Sequence, residues 1–189
     1  YPDIEISMVP GHKRPDINIR EADVLIEPTD HPDEHLVGRA LSPIAIAAYG
    51  SQELIDREAR EGVRLGGEGN IWVEYLADSE MSRASRRLRV AHAPDACIFV
   101  RNHSLLLQLE SVRQGLGYGF LPCILAESDP NLSRVGDIPP VLGPSMWMLT
   151  HPDLRNTKRV KVFMDFVRDI FERRSHELLG AELNSTSLG

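Results

Sequence analysis

Positive charge is what this sequence most plainly lacks. Its 21 Lys and Arg are outnumbered by 28 Asp and Glu, for a net charge of −7. The chain therefore carries no cationic footprint for a nucleic-acid backbone. Long apolar runs are missing too, and none approaches the roughly 20 residues of a membrane span. Cysteine is nearly absent: Cys97 and Cys123 are the only two. They have no CxxC spacing and sit among apolar neighbours, which reads as two buried free thiols in a reducing compartment rather than a disulfide. The chain opens on Tyr1 rather than Met, which reads as a piece of a longer protein with no signal peptide ahead of the fold. No GxSxG, HExxH or P-loop occurs, and no Ser/His/Asp set has support. What remains is ordinary for a soluble globular chain: 42% apolar and 26% charged residues over 189 positions. That is enough to bury a real core in one domain or two small ones.

The most informative stretch is ACIFVRNHSLLLQLESVRQGLGYGFLP, residues 96–122. Residues 97–100 form a short apolar run of strand length. Asn102 and Ser104 are both good helix N-cap residues. Leu105, Leu106, Leu109 and Val112 then recur at helical spacing, and Gly115 sits where a helix ends. Residues 118–121 are a second apolar run, closed by Pro122. The order strand, polar turn, helix, Gly turn, strand is a βαβ crossover with two parallel strands. In open parallel sheets ligands bind beyond the carboxyl ends of the strands. Here that edge is Arg101, Asn102, His103 and Ser104, at the positive end of a helix dipole. The plainer reading, and the stronger one from spacing alone, is that Asn102 or Ser104 only caps the helix.

Elsewhere, Ile4, Ile6 and Met8 alternate with polar residues, predicting a half-buried strand. A short helix is expected near 16–21, and strands at 22–26, 36–41 and 44–49, the last two broken by Ser42–Pro43. Helices follow at 51–61, with Ser51 as cap, and at 81–89, with a strand at 71–76 between them. A short helix near 124–127, a short strand at 132–135 and a strand at 146–150 precede a closing helix over 156–176. Val160, Phe163, Phe166, Val167 and Ile170 are its expected apolar stripe. The tail from residue 179 reads as disordered. Alternating strands and helices argue an α/β fold with a mostly parallel sheet.

Candidate chemistry is sparse. His31 and His35 are four apart, but Pro32 argues against the helix a zinc pair needs. GLGYG at 115–119 follows a helix and precedes a strand, the reverse of a dinucleotide fingerprint. Trp72, Tyr75 and Trp147 read as core residues. Arg83, Arg86, Arg87 and Arg89 read as a solvated helix face, with a partner surface as the weaker alternative.

In order along the chain, YPDIEI at 1–6, READVLI at 20–26, LVGRALSPIAIAAYGS at 36–51, VRQGLGYGFLP at 112–122, NLSRV at 131–135 and MWMLTHPDLRNTKRVKVFMDF at 146–166 resemble the effector-binding domain of LysR-type transcriptional regulators. Each motif is weak alone; the ordered series is specific. Residues 53–89 match less clearly. The resemblance implies an α/β fold like type 2 periplasmic binding proteins, with two subdomains of mixed, mostly parallel sheet, flanking helices and a cleft between. On that template one subdomain is residues 1–42 plus 150–178 and the other 43–149, with a disordered tail at 179–189. The crossings fall at Ser42–Pro43 and near 149–152. The cleft would be lined by Glu27 and Thr29, by Ser42 and Pro43, by Arg101, Asn102, His103 and Ser104, and by Tyr118 and Phe120 near the floor. The family's winged helix-turn-helix domain, linker helix, and first strand and helix of the effector domain would precede Tyr1.

The function implied is ligand sensing. A small polar effector, with a carboxylate favoured over a cation, would bias one subdomain arrangement and so control DNA-binding domains elsewhere in the protein. No catalytic residue, metal or cofactor is expected. The full-length protein would be a cytoplasmic homodimer or homotetramer, away from membranes. The rivals are a solute-binding protein of a transport system, which shares the fold, and an enzyme, for which only His103 and Glu27 offer titratable groups. Because phosphate contacts need clustered Lys and Arg, residues 1–189 alone are expected to leave duplex DNA unshifted in a gel assay. Salt-sensitive retardation at submicromolar protein would overturn this.

Overall fold

The computed structural model describes residues 3–9, 14–67, 69–135 and 138–180. The expected disordered tail lies almost wholly outside them. After a 3₁₀ turn at Ile17–Ile19, strand β1 (Val24–Pro28) runs to β2 (Val37–Ser51) and helix α1 (Gln52–Glu61). Next come β3 (Ile71–Tyr75), α2 (Glu80–His92), β4 (Cys97–Asn102), α3 (Leu105–Arg113), β5 (Gly119–Pro122) and α4 (Cys123–Ala126). Strands β6 (Leu132–Arg134) and β7 (Val141–Thr150) precede α5 (Lys158–Arg173) and α6 (Ser175–Leu178).

Two long strands form the spine. β2 and β7 pair antiparallel from Val37↔Thr150 to Ile46↔Val141. β1 joins the far edge of β7, while β5 and β6 join the second half of β2, all antiparallel. The two strands expected around Ser42–Pro43 are thus one continuous strand. Its register slips between Ala40 and Ser42 and between Pro43 and Ala45, because Pro43 brings no N–H to the ladder and is tolerated at such irregularities. Ser42 and Pro43 face Met146 and Ser145, so the stretch opposite them lies a few residues before 149–152. Beyond Pro43 the strand is buried on both faces. Ile44, Ile46 and Ala48 enter one core with Trp72, Met81 and Phe120 under α1 and α2. Ala45, Ala47 and Tyr49 enter another with Val112, Leu121 and Cys123 under α3 and α4. Alternation along the strand assigns the two sets. A third, smaller core of Ile17, Leu25, Leu36 and Leu149 lies beside β1.

The mixed α/β class is as expected; the balance of strand directions is not. Among the described residues, parallel pairing is confined to β3 with β4 and a bridge from Trp72 to Tyr118, just before β5. The crossover through α3 therefore steps over β3 instead of joining neighbours. Val73 N–H donates to Tyr118 O at 2.8 Å, and Tyr118 N–H to Ile71 O at 2.9 Å. Gly117 permits this approach, since a Cβ there would lie 2.8 Å from Ile71 O.

Four other expectations are corrected. Residues 4–9 form no strand; Ile6 is 55% and Met8 86% exposed, and alternation without a neighbouring strand does not make a sheet. Cys123 is buried, but Cys97 is exposed, because β4 is an edge strand whose outward face carries Cys97, Phe99 and Arg101. Trp72 is core, whereas Trp147 is only partly buried. On α5, Val160 and Val167 are buried but Phe166 is 55% exposed. Val160 and Val167 stand two turns apart on one line, and Phe166 points about 100° away. Trp72→Ala is expected to cost about 3–5 kcal/mol, and Phe166→Ala no more than about 0.5 kcal/mol, by urea denaturation. Equal losses would contradict this division of core and surface.

Candidate functional site

The carboxyl edge of β3 and β4 is where side-chain chemistry gathers. Tyr75 faces Asn102 in the parallel register, and Leu76 N–H donates to Asn102 O at 2.8 Å. Both following helices start at this edge. Ser79 caps α2 by accepting from Ser82 N–H at 3.2 Å, and Ser104 caps α3 by accepting from Leu107 N–H at 3.5 Å. This settles the choice of cap: Ser104 is engaged at the helix start and Asn102 is not. Both amide atoms of Asn102, Oδ1 and Nδ2, are buried without a hydrogen-bond partner among the described residues. An unsatisfied buried amide costs about 1–3 kcal/mol, and no described residue uses the hydrogen-bonding capacity of this one.

The loop after β1 reaches the same edge. Thr29, 8% exposed, donates from Oγ1 to Glu80 Oε1 at 3.2 Å and accepts from His31 N–H at 3.0 Å. Asp30 N–H donates to the other Glu80 oxygen. One carboxylate at the first turn of α2 thus holds the exit of β1, a position that also suits the helix dipole. Glu80 was not singled out in the sequence. Its only signal was Ser79, a cap residue just before an amphipathic segment, and the partner 50 residues away could not be read.

The other expected residues are scattered around this edge. Glu27 is ion-paired with Arg14 at 2.8 Å. Ser42 donates to Pro43 O at 2.9 Å at the irregular point of β2. Arg101 pairs with Glu74 at 3.3 Å, and His103 is exposed. Tyr118 and Phe120, 3% and 2% exposed, belong to the core and not to an open wall. Phe120 stacks on Trp72 with ring centroids 5.3 Å apart, and the Tyr118 hydroxyl donates to Glu58 at 2.8 Å. Burial and Glu58 both push that hydroxyl up, so it stays protonated.

Arg86 and Arg89 are not simply a solvated face. They join Arg101 around the buried carboxylate of Glu74, with Arg89 at 3.1 Å and Arg86 at 3.9 Å. This hub ties α2 to β3 and β4. His31 and His35 donate their backbone N–H groups to Thr29 and Asp33. Among the described residues no group of three or more His, Cys, Asp or Glu is placed to hold a metal. Burial pushes the Cys123 thiol up, which leaves it a poor nucleophile. No helix among the described residues is long and apolar enough to cross a membrane.

The mixed α/β fold is of the type 2 periplasmic-binding-protein kind. The family is settled by sequence: the LysR substrate binding domain model matches residues 1–172, and the chain belongs to that family. It is the ligand-sensing domain of a LysR-type regulator. Such domains are regulatory, bind small-molecule effectors, and act on DNA through an N-terminal domain. Solved structures show the same fold. The effector domain of the transcriptional regulator AmpR of Pseudomonas aeruginosa is 16% identical, with a TM-score of 0.68 over 93% of this chain and 85% of that one. The CrgA regulatory domain, from a LysR-type transcriptional regulator of Neisseria meningitidis, is 16% identical, with a TM-score of 0.63 over 90% and 86%. The regulatory domain of the C227S variant of AphB from Vibrio vulnificus is 15% identical, with a TM-score of 0.60 over 90% and 86%. Among curated proteins none matches. The family match weighs against the transport-protein alternative.

Glu80→Ala removes both bonds that hold the β1 exit to α2. The expected result is a loss of about 1.5–3 kcal/mol, the range for hydrogen bonds to a charged group. Protection of the Asp30 amide from hydrogen exchange should fall with it. Unchanged exchange at Asp30 would show that the loop is held by other contacts.

Proposed function

We propose that this domain senses a small polar effector, a carboxylate in preference to a cation, between a part formed by residues 1–42 plus 150–178 and a part formed by residues 43–149. Asn102, His103 and Ser104 bind it from one side, and Thr29 from the other, with Glu27, Ser42, Pro43 and Arg101 at the margins. The observation that carries this reading is the unpartnered, buried amide of Asn102 at the carboxyl end of β4. Its neighbour Ser104 opens α3, where free backbone N–H groups and the helix dipole favour an anion. Glu27 does not repel such a ligand with a full charge, since Arg14 neutralises it at 2.8 Å. Tyr118 and Phe120 take part only by filling the core beneath.

The domain works by differential affinity. A ligand that bonds both Thr29 and Asn102 favours the arrangement in which the two parts meet, and the bias passes to the DNA-binding domains. At the edge, Glu80 is engaged by Thr29 and Asp30, Arg101 is paired with Glu74 and His103 is exposed, an arrangement that supports a sensor without catalysis. The intact regulator is a homodimer or homotetramer in the cytoplasm.

Calorimetric titration of the intact regulator with its inducing carboxylate tests the site. Asn102→Ala, Ser104→Ala and Thr29→Val should each weaken binding by about 0.5–1.5 kcal/mol. Ser104→Ala should also lower stability by about 1 kcal/mol through the lost cap. Unaltered affinity in all three, with folding intact by thermal melting, would move the effector elsewhere.

A further inference from the structure

The loop after β1 is arranged to hold a carboxylate. Thr29 Oγ1 accepts from His31 N–H at 3.0 Å, which commits a lone pair and leaves the hydroxyl proton to be donated. That proton goes to Glu80 Oε1 at 3.2 Å, and the next backbone N–H, of Asp30, goes to Glu80 Oε2. Hydroxyl and amide thus form a two-donor corner, with one carboxylate oxygen on each. Both groups act as donors there, so the corner suits an anion and offers nothing to an ammonium group. It holds a carboxylate although the Asp30 side chain is itself acidic and exposed.

The carboxylate that fills this corner is the protein's own. It reaches Thr29 and Asp30 from the start of α2, across the seam between the two proposed parts. Among the described residues Glu80 has no cationic partner. Two neutral donors hold it, and bonds to such donors are weaker than those from a guanidinium. A second position lies close by. Arg83, one turn along the same helix, pairs with Asp78 at 3.1 Å, but that pair is 57% and 101% exposed and holds the guanidinium weakly. A Glu80 side chain that left the corner would meet Arg83 at i+3. Asp30, Glu80 and Arg83 all border the groove of about 460 Å³ between α2 and β7, so the corner opens toward the space between the parts.

We infer, resting on the effector site proposed above, that Glu80 is a built-in competitor: in the ligand-free domain it occupies the Thr29–Asp30 corner, and a ligand carboxylate binds there only by displacing it. The contact is autoinhibitory. It lowers the apparent affinity by the fraction of molecules in which the corner stands empty. It also sorts ligands by class. A carboxylate replaces the two bonds that Glu80 gives up, whereas a neutral or cationic ligand breaks them and leaves both donors unpaired.

Acetate is the probe, because it is the Glu80 carboxylate cut free of the chain. It is titrated into the intact regulator at constant ionic strength, with acetamide and methylammonium as neutral and cationic counterparts. The readouts are the melting temperature and hydrogen exchange at the Asp30 amide. Glu80→Ala should speed exchange at Asp30. Acetate should then restore that protection and raise the melting temperature saturably, with a midpoint at least tenfold below any response of the parent. Acetamide and methylammonium should do neither. Glu80→Ala combined with Thr29→Val should lose the acetate response. If Glu80→Ala does not fold, Glu80→Ser, with an equally short reach, answers the same question. Equal acetate responses in the parent and in Glu80→Ala would overturn the inference, as would a response in Glu80→Ala that survives Thr29→Val. Acetate reads the corner alone, so its failure is distinct from a failure of the Asn102 and Ser104 titrations, which read the facing wall.

Discussion

One buried polar network decides how the helices sit on the sheet. Asn70 has no exposed surface. Its Oδ1 accepts from the Trp72 indole N–H at 2.6 Å and from Gly66 N–H at 3.1 Å, and its Nδ2 donates to Glu58 at 2.7 Å. Glu58 also accepts from the Tyr118 hydroxyl at 2.8 Å. The four side chains come from α1, the entry to β3, β3 itself and the entry to β5, so the network fixes all three elements in one register. Without it Trp72 would bury an unpaired N–H, and Glu58 would be an unpaired charge in a core. A network of this kind is costly when half satisfied and specifying when complete.

That register carries through to the polar edge. Tyr118 locks against β3, β3 sets the height of β4, and Asn102 closes β4. The Glu74 hub then draws α2 onto β3 and β4 through Arg89 and Arg101. With α2 placed, Glu80 meets Thr29, and the exit of β1 is joined to elements far from it in sequence. Two carboxylates thus do opposite jobs. Glu74 is enclosed by arginines and fastens one half internally. Among the described residues Glu80 is held by a hydroxyl and a backbone N–H, neutral donors that bind a carboxylate less firmly than a ring of arginines does.

Local signals explain what was legible in the chain. Ser51, Ser104 and the spacing of Leu105 and Val112 announce helices because caps and periodicity act within a few residues. The order of motifs announces the family. What stayed hidden depends on which strand lies beside which. The crossover through α3 reads correctly as strand–helix–strand, but nothing local says that β3 intervenes. Cys97 and Phe99 look like core until β4 turns out to be an edge. Residues 4–9 alternate as a strand does, yet alternation cannot supply a neighbour. Tyr118 and Phe120 were placed at a cleft floor, whereas Trp72 and Glu58, recruited from distant positions, draw them into the core. The roles of Glu58, Glu74 and Glu80 rest wholly on such distant partners, so three Glu residues identical in sequence terms end in a core network, a cationic hub and a loop clasp.

The unsatisfied atoms separate structure from site. Besides Asn102, the buried side-chain groups without partners among the described residues are Arg89 Nε and Gln108 Oε1. Gln108 is 1% exposed, and its amide nitrogen already donates to Val73 O and Phe120 O at 3.4 and 3.3 Å. Both Gln108 and Arg89 border a small space of about 10 Å³, a volume on the scale of one water molecule. Their lack of a partner goes with the packing of α2 and α3 around that space. Asn102 does not border that space. Its amide offers a donor and an acceptor together, one residue beyond the last apolar position of β4 and two before the cap of α3. A side chain kept only for the fold would be replaced at lower cost by an apolar one. Among the described residues, the carboxyl edge of β4 is where a buried donor and acceptor are left unused side by side, and the proposed effector site rests on that pair.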